Sequence, residues 1–429
     1  MKKVLILGAI EAFCDLISDI KELGIQTIVC DYYPDAPGKK LADFAYDLST
    51  TDVDAMTDIA SKYDVDGVIC AFSDRNIPTC YEVAQKLRLP TFYTKEIIDI
   101  ITDKIKMKQH FKDNGFPILN YKIIQKDFSD SDLNHFIFPV IIKPVDSSGS
   151  KGVYVCENVS QVRENFKKSA CQSVHHTNEI IVEEYYPVDE ISVTAWVKEG
   201  KAYVTCIYDV GRNFEEEVVL SSIVFPSKYA GKSNFSKITE LVQDLTDSLQ
   251  IKEGPVTVQC FIGERGLKVS EYIYRLAGGS PYKYSQYLGG PNLAKMLAEF
   301  SVGDNVHYGN LEEFSPLGKS TVYEYHIYAV KPGKIYFSFD EETLKNAIPE
   351  CTYVKIYSES GTTFTSLPTG GKVIAVVYCQ TDHPDKTSYN SFIEKLAKIA
   401  VIEDENGNNI TSFHKPQHEV TRICHNLKL

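Results

Sequence analysis

The sequence lacks several features that would assign it to a well-known class at once. It has no C-x-x-C pair, no G-x-G-x-x-G turn and no G-x-x-x-x-G-K-[S/T] loop, and the last two absences argue against the usual dinucleotide and helix-capping phosphate sites. No apolar run approaches the roughly 18 residues of a membrane-spanning helix. Basic residues are in deficit, with a formal net charge of −13, and this argues against nucleic acid as the main partner because a phosphate backbone binds a basic face.

What is present fits a globular protein with several cores. A chain of 429 residues is too long for a single core and predicts about two to four folded units. Its hydrophobic content of 43% is typical of folded domains. The eleven cysteines are scattered, and many lie in apolar runs, so they are interpreted as reduced core residues of a cytoplasmic protein.

The pattern along the chain changes several times. At the start, apolar runs alternate with helical periodicity, which predicts a doubly wound α/β unit of about 100 residues. A helix over 103–114 and a group of strands follow, and then a strand-rich region reaches to about residue 300. The remainder is again rich in predicted strands, among them Ile335 to Phe339.

One stretch combines a lysine with a flexible loop: residues 138–153 read FPVIIKPVDSSGSKGV. The apolar residues before Lys143 predict a strand that Pro144 ends, because proline cannot donate to a ladder. A small-residue loop follows, and a second strand then predicts a hairpin. The backbone N–H groups of such a loop can surround phosphate oxygens, with the lysine adding a charge. A surface hairpin with a solvated lysine would show the same pattern, so the hairpin alone leaves both interpretations open.

Three other stretches decide between them: DKIKMK at 103–108, IIVEEYYPVDEISV at 180–193 and VQCFIGERGLKVSEYIYRLAGG at 258–279. In this order and spacing, the four stretches resemble the ATP-grasp enzymes, in the branch that includes carbamoyl phosphate synthetase, biotin carboxylase and the carboxylate–amine ligases. The resemblance implies a multidomain fold of the α/β and α+β classes. Its expected units are a Rossmann-like pre-ATP-grasp domain (1–102), a small nucleotide-clamping subdomain (103–186), a large subdomain with the metal site (187–309) and a C-terminal β-rich lobe (310–429).

The resemblance also implies which residues hold ATP. Lys104 and Lys143 match the two basic residues that contact the α- and β-phosphates, and Glu190 matches the carboxylate that holds the ribose hydroxyls. The loop expected to close over the β- and γ-phosphates contains Ser147, Ser148, Gly149, Ser150 and Gly152. The hinge expected to bind adenine is Glu183, Glu184, Tyr185 and Tyr186, through the carbonyl of Glu183 and the N–H of Tyr186. An exposed acidic strand end is the alternative interpretation of this hinge.

The expected Mg²⁺ site departs from the family pattern. The two ligand positions hold Gln259 and Glu271, and the position of the usual asparagine holds Ile273, whose side chain cannot coordinate a metal. Arg275 matches the arginine that neutralises charge on the γ-phosphate or acyl phosphate in the transition state, and it is expected to be catalytic together with Lys143. A salt bridge from Arg275 to Glu271 is the structural alternative.

The implied reaction is a two-step ligation. A carboxylate would attack ATP to give an acyl phosphate and ADP, and an amine would then displace phosphate. The alternatives are an enzyme that phosphorylates bicarbonate or carboxylates a substrate, and a regulatory protein that binds the nucleotide without turning it over. Arg212 and Lys228 are open candidates for facing the substrate. A homodimer is expected from the resemblance, whereas the acidic charge and the short apolar runs predict no nucleic-acid or membrane partner.

Overall fold

The structure is a computed structural model, which describes residues 1–147, 149, 151–175, 177–213, 219–278, 281–317, 320–367, 371–382 and 386–412. The expected mixture of α/β and α+β units is confirmed. Among the described residues there are two four-stranded sheets, one nine-stranded sheet and one two-stranded ribbon. No helix in these ranges is long and apolar enough to cross a membrane.

The first unit is a parallel sheet with strand order β3-β2-β1-β4. Its elements are β1 (Lys3–Leu7), α1 (Phe13–Glu22), β2 (Gln26–Cys30), β3 (Phe44–Tyr46), α2 (Val53–Tyr63), β4 (Gly67–Ile69) and α3 (Ile77–Leu87). The four apolar residues of β1 from Val4 to Leu7 are fully buried, as expected of a strand that is covered on both faces. The loop after β4 reaches the largest sheet, where the N–H of Phe72 donates to the carbonyl of Leu276 at 3.1 Å.

The second unit contains the predicted hairpin in an antiparallel sheet of order β5-β8-β6-β7. Its elements are α4 (Lys95–Ile101), α5 (Lys104–Asp113), β5 (Tyr121–Gln125), β6 (Val140–Pro144), β7 (Tyr154–Cys156), α6 (Val159–Ala170) and β8 (Glu179–Glu184). Helix α5 begins at Lys104 because the Asp103 carboxylate accepts from the N–H groups of Ile105 and Lys106, at 2.8 and 3.2 Å. The hairpin prediction is confirmed, since β6 and β7 pair in antiparallel register.

The largest sheet runs in the order β13-β12-β9-β10-β11-β14-β18-β16, with β19 beside β14. Its first half is built from β9 (Asp189–Lys198), β10 (Lys201–Asn213), β11 (Val219–Phe225), α7 (Lys232–Ser248), β12 (Glu253–Gly263), β13 (Gly266–Ile273), α8 (Tyr284–Tyr287) and α9 (Leu293–Ser301). On one face, Ile191 and Val193 of β9 share a core with Val242 and Leu245 of α7. Alternation along the strand therefore directs Ser192 to the opposite face, which carries the polar residues of the candidate site.

The rest of the chain extends the same sheet. Its elements are β14 (Thr321–Ala329), β15 (Gly333–Lys334), α10 (Glu341–Ala347), β16 (Cys351–Ile356), β17 (Thr363–Phe364), β18 (Lys372–Thr381), α11 (Lys386–Ile399) and β19 (Thr411–Ser412). Strand β11 pairs directly with β14, with Phe225 opposite Val322. The regions expected as a large subdomain and a C-terminal lobe thus share one ladder, and the boundary between them stays a prediction.

The predicted strand from Ile335 to Phe339 is wrong. The regular pairing ends at β15, and the following backbone groups find irregular partners instead of a ladder. The N–H of Ile335 donates to the carbonyl of Thr362 at 2.9 Å, and the N–H of Phe337 donates to the Ser360 hydroxyl at 2.9 Å. Side-chain periodicity cannot distinguish an extended segment with such partners from a strand.

The contact between β4 and the end of α9 leads to a prediction. A Cβ added at Gly67 would lie 1.9 Å from the carbonyl oxygen of Ser301. Because this oxygen belongs to the backbone, it cannot move away without distorting the end of α9. We expect Gly67→Ala to lower the free energy of unfolding by about 1–3 kcal/mol or more, measured by urea denaturation. Gly278→Ala is the control, because a Cβ there meets nothing within 4 Å and its φ is not positive. Equal stability of the two variants would contradict the close approach.

Candidate active site

Two lysines one turn apart on α5 bring the small and large sheets together. Lys104 and Lys108 lie on the same face because i and i+4 positions are neighbours on a helix. The Nζ atom of Lys104 is 2.5 Å from Oε1 of Glu271 on β13. The Nζ atom of Lys108 contacts Oε1 of Glu183 on β8. One helix is therefore fastened by ion pairs to both sheets.

Glu183 is a buried carboxylate shared by two lysines. Its second oxygen, Oε2, is 2.5 Å from Nζ of Lys143 on β6. Burial alone would raise the pKa of Glu183, but Lys108 and Lys143 outweigh burial and lower it to about 2. The three side chains form a group with a net charge of +1 when both lysines are protonated.

The two expected metal ligands face each other across the β12–β13 hairpin. Gln259 lies directly opposite Glu271 in the register, and Ser192 of β9 lies opposite Gln259 on its other side. Burial opposes the charge of Glu271, but the adjacent Lys104 outweighs it and lowers the pKa of this carboxyl. The two side chains offer hard oxygen atoms on one face of the sheet, which fits Mg²⁺ with the remaining positions filled by water and phosphate.

Ile273 cannot act as a ligand at the expected metal site. It lies two residues after Glu271 on β13, opposite Thr257, and it is buried. Among the described residues, no group of three or more His, Cys, Asp and Glu side chains could hold a metal ion. Within the described residues, the expected metal site would therefore have one carboxylate and one amide as its protein ligands.

Arg275 follows β13 and is held by the first unit. Its Nε and Nη2 atoms donate to the two carboxylate oxygens of Asp74 at 2.8 and 2.6 Å, and Nη1 donates to the carbonyl of Leu276 at 2.9 Å. The alternative partner considered from the sequence, Glu271, instead pairs with Lys104. A bidentate pair fixes the plane of the guanidinium group at the edge of the candidate site.

The hinge residues are distributed between the sheet and the chain that leaves it. Glu184 donates its N–H to the carbonyl of Asn120 at 2.9 Å, so ladder alternation turns the N–H and carbonyl of Glu183 towards Ile141 on β6. The adenine contact assigned to the Glu183 carbonyl stays a prediction, with a ladder partner already opposite that carbonyl. Tyr185 and Tyr186 lie beyond the end of β8, and their adenine contacts stay predictions too.

The expected ribose carboxylate has a cationic partner. Glu190 on β9 accepts from Nε and Nη2 of Arg212 on β10, both at 2.7 Å. Lys228, the other open candidate, lies 2.8 Å from Asp189. Both candidates thus lie beside the acidic start of β9.

The expected phosphate loop is only partly described, because Ser148 and Ser150 lie outside the described residues. Ser147 is buried, and Gly149 is exposed with a φ of +68°. Gly152 has a φ of +74°, and a Cβ there would lie 2.9 Å from Cγ of Pro144, so both conformation and space favour glycine. Asp146 fixes the base of the loop by accepting from the N–H groups of Val174 and His175, both at 2.9 Å.

Two residues of the candidate site, Lys108 and Asp74, were not predicted from the sequence. Lys108 could have been found from its i+4 spacing to Lys104, which directs both lysines to one side of α5. Asp74 has no such signal. It begins a short 3₁₀ helix (Asp74–Asn76) and is 201 residues from its partner Arg275, so only the packing of the first unit against the large sheet brings the two together.

Residues 136–279 match the ATP-grasp domain family. Over this segment the chain is similar to the ATP-grasp domain. This segment includes the hairpin lysine, the shared carboxylate Glu183 and the Gln259–Glu271 pair, whereas α5 precedes it.

Curated relatives match about half of the chain. A formate-dependent phosphoribosylglycinamide formyltransferase from Sulfurisphaera tokodaii is 26% identical over 198 residues, which are 46% of this chain and 50% of that protein. A carbamoyl-phosphate synthase from Methanobrevibacter smithii is 27% identical over 215 residues, which are 46% of this chain and 57% of that protein. The chain thus spans about half the length of the curated relatives it matches.

Two solved structures match almost the whole chain in fold. The biotin carboxylase domain of 2-oxoglutarate carboxylase from Hydrogenobacter thermophilus has a TM-score of 0.75 at 17% identity, covering 96% of this chain and 92% of that one. The L-amino acid ligase from Bacillus licheniformis has a TM-score of 0.71 at 17% identity, covering 93% and 96%. At these identities the likeness establishes the fold.

The shared carboxylate leads to a stability prediction. Glu183, Lys108 and Lys143 form a charged triad, in which both lysines contact the Glu183 carboxylate. Glu183→Gln removes the negative charge of this triad, and removing one partner of a buried ion pair costs about 3–5 kcal/mol. We expect a loss of this size in the free energy of unfolding at neutral pH, measured by urea denaturation. Glu184→Gln is the matched control, because its partner Arg265 is half exposed and such pairs contribute about 0–1 kcal/mol.

The loss of stability in Glu183→Gln should become smaller at low pH. A carboxyl whose pKa is lowered by folding stabilises the protein above its unfolded value of about 4.3, and this contribution is lost as the pH falls towards the folded value of about 2. The stability gap between wild type and Glu183→Gln should therefore narrow below about pH 4. A gap that is constant between pH 7 and the acid limit of folding would contradict the lowered pKa.

Proposed function

We propose that the chain is an ATP-dependent ligase that activates a carboxylate as an acyl phosphate and joins it to an amine, releasing ADP and phosphate. ATP and Mg²⁺ are its proposed cofactors, small molecules its substrates, and a homodimer in the cytoplasm its proposed form. The identity of the acid and the amine is left open. The proposal draws on the match to the ATP-grasp domain family and on similar proteins that are named a ligase and a synthase.

The observation that carries the proposal is the contact between Lys104 and Glu271. One is the expected phosphate ligand and the other the expected metal ligand, and they are 167 residues apart in sequence but 2.5 Å apart in space. A metal-bound triphosphate needs its cationic side chain and its metal ligand at the same point. When the nucleotide binds, its phosphates would replace Glu271 as the partner of Lys104, and Glu271 would be freed for the metal.

The side chains of the site have distinct tasks in this reaction. Lys104 and Lys143 would hold the phosphates from two sides, and Arg275, fixed by Asp74, would face the charge that develops on the transferred phosphoryl group. Bound Mg²⁺ would neutralise phosphate charge and hold the phosphates in line, with Gln259 and Glu271 as its protein ligands. Phosphoryl transfer to a carboxylate needs positioning and charge neutralisation more than a protein nucleophile, and the cluster provides these.

A second candidate function is nucleotide binding without turnover. Ile273 favours it, since a buried aliphatic side chain stands where the family has a metal-ligating asparagine. Such a regulatory protein would bind ATP with little dependence on Mg²⁺. The opposed pair of Gln259 and Glu271, with oxygen atoms on one face, favours the ligase.

The primary test is phosphate release from ATP in the presence of Mg²⁺, with pools of carboxylic acids and amines offered separately and together. We expect release only when both an acid and an amine are present, because the acyl phosphate must be formed and then displaced. Dividing the active pools would identify the substrates. Mg²⁺-independent ATP binding with no release in any pool would instead favour the regulatory candidate.

A second prediction concerns the metal ligand. Changes to the residues that support a metal ligand already cost about 10–100-fold in metal affinity or activity, so loss of the proposed carboxylate ligand itself should cost at least about 100-fold. We expect Glu271→Gln to lower Mg²⁺-dependent turnover by this factor while the near-UV circular dichroism of the folded protein is retained. Glu264→Gln, at the exposed turn of the same hairpin, is the control for loss of one negative charge. Unchanged turnover in Glu271→Gln would remove this residue from the metal site.

A further inference from the structure

The triad contains one more lysine than a simple ion pair needs. Glu183 with Lys143 alone would be neutral, and the lysine expected to contact phosphate would then have its charge cancelled within the protein. Lys108 supplies a second positive charge to the same carboxylate. Its side chain is only 2% exposed, compared with 15% for Lys143, so the ligand can approach Lys143 and not Lys108.

The surroundings of Lys108 hold it in place. Its Nζ atom lies 5.2 Å from the centre of the Tyr121 ring on β5. The start of α5 is tied to the end of β6, where the N–H of Lys104 donates to the carbonyl of Val145 at 2.9 Å. On the other side, the N–H of Tyr272 approaches Sδ of Met107 at 3.4 Å. The helix that carries Lys108 is therefore anchored next to the strand that carries Lys143.

We propose that Lys108 is a positioning residue that neutralises and orients Glu183, so that Lys143 keeps an uncompensated positive charge for the nucleotide phosphates. The inference rests on the proposed function, because it assumes that Lys143 faces ATP. Lys108 itself does not touch the ligand. It acts through the carboxylate that it shares with Lys143.

A pH effect follows from the burial of Lys108. Burial lowers its pKa to about 8, with Glu183 opposing this shift and the nearby Lys143 and Lys104 adding to it. Loss of this proton above about pH 8 would leave Glu183 to cancel Lys143. Of the other groups facing Lys108, Glu183 has a lowered pKa, while Lys104 and Tyr121 have raised ones, so these three keep one protonation state near pH 8. The affinity for Mg²⁺–ATP should therefore fall between about pH 7.5 and pH 9.

The experiment measures the Kd of the full chain for Mg²⁺–ATP by isothermal titration calorimetry. We expect Lys108→Met, which keeps the length of the side chain, to raise the Kd at pH 7.5 by at least about tenfold. Lys106→Met is the control, since it removes a lysine from the exposed side of the same helix and should leave the Kd within about twofold. The fall in affinity towards pH 9 should disappear in Lys108→Met.

A double variant separates charge balance from a merely structural role. Lys108→Met combined with Glu183→Gln removes both the neutralising lysine and the carboxylate, which leaves the charge of Lys143 uncompensated again. We expect this variant, once its near-UV circular dichroism shows that it is folded, to bind Mg²⁺–ATP at least about threefold more tightly than Lys108→Met. If it binds as weakly as Lys108→Met, or if Lys108→Met binds like wild type, the inference is wrong and the proposed function stands. If the wild type does not bind Mg²⁺–ATP, both fail.

Discussion

The need to pair buried charges determines how the candidate site is built. A carboxylate such as Glu183 is costly to bury unless a cation neutralises it, and here two lysines from different elements do so. One of them lies on α5, which is also paired through Lys104 to the large sheet. The relative position of the small sheet, the helix and the large sheet is thus tied to a few ion pairs. Nucleotide binding would exchange some of these internal pairs for phosphate contacts.

Local features were accessible from the sequence because each has a short-range cause. The β6–β7 hairpin follows from an apolar run, a proline and a small-residue loop within 20 residues of chain. The start of α5 follows from the capping aspartate Asp103. The strand prediction at Ile335 failed for the opposite reason. The backbone of this segment hydrogen-bonds to partners distant in sequence, which the local residue pattern does not indicate.

Contacts between distant segments could not be derived in this way. The resemblance to ATP-grasp enzymes predicted that Lys104 and Glu271 serve one ligand, but their direct pairing depends on how two sheets meet across α5. The pair between Asp74 and Arg275 depends on the docking of the first unit, for which the loop sequence has no signature. Likewise, the local sequence does not distinguish Lys108 from the other lysines of α5, and only the structure shows that it is buried against Glu183.

The nine-stranded sheet is shared between the region expected as the large subdomain and the C-terminal region. Because β14 hydrogen-bonds to β11, cutting the chain before β14 would leave the backbone groups of β11 without their neighbour and create an open sheet edge prone to aggregation. The C-terminal region therefore cannot be treated as an interchangeable module. Engineering by domain exchange would have to replace both sides of the β11–β14 ladder together.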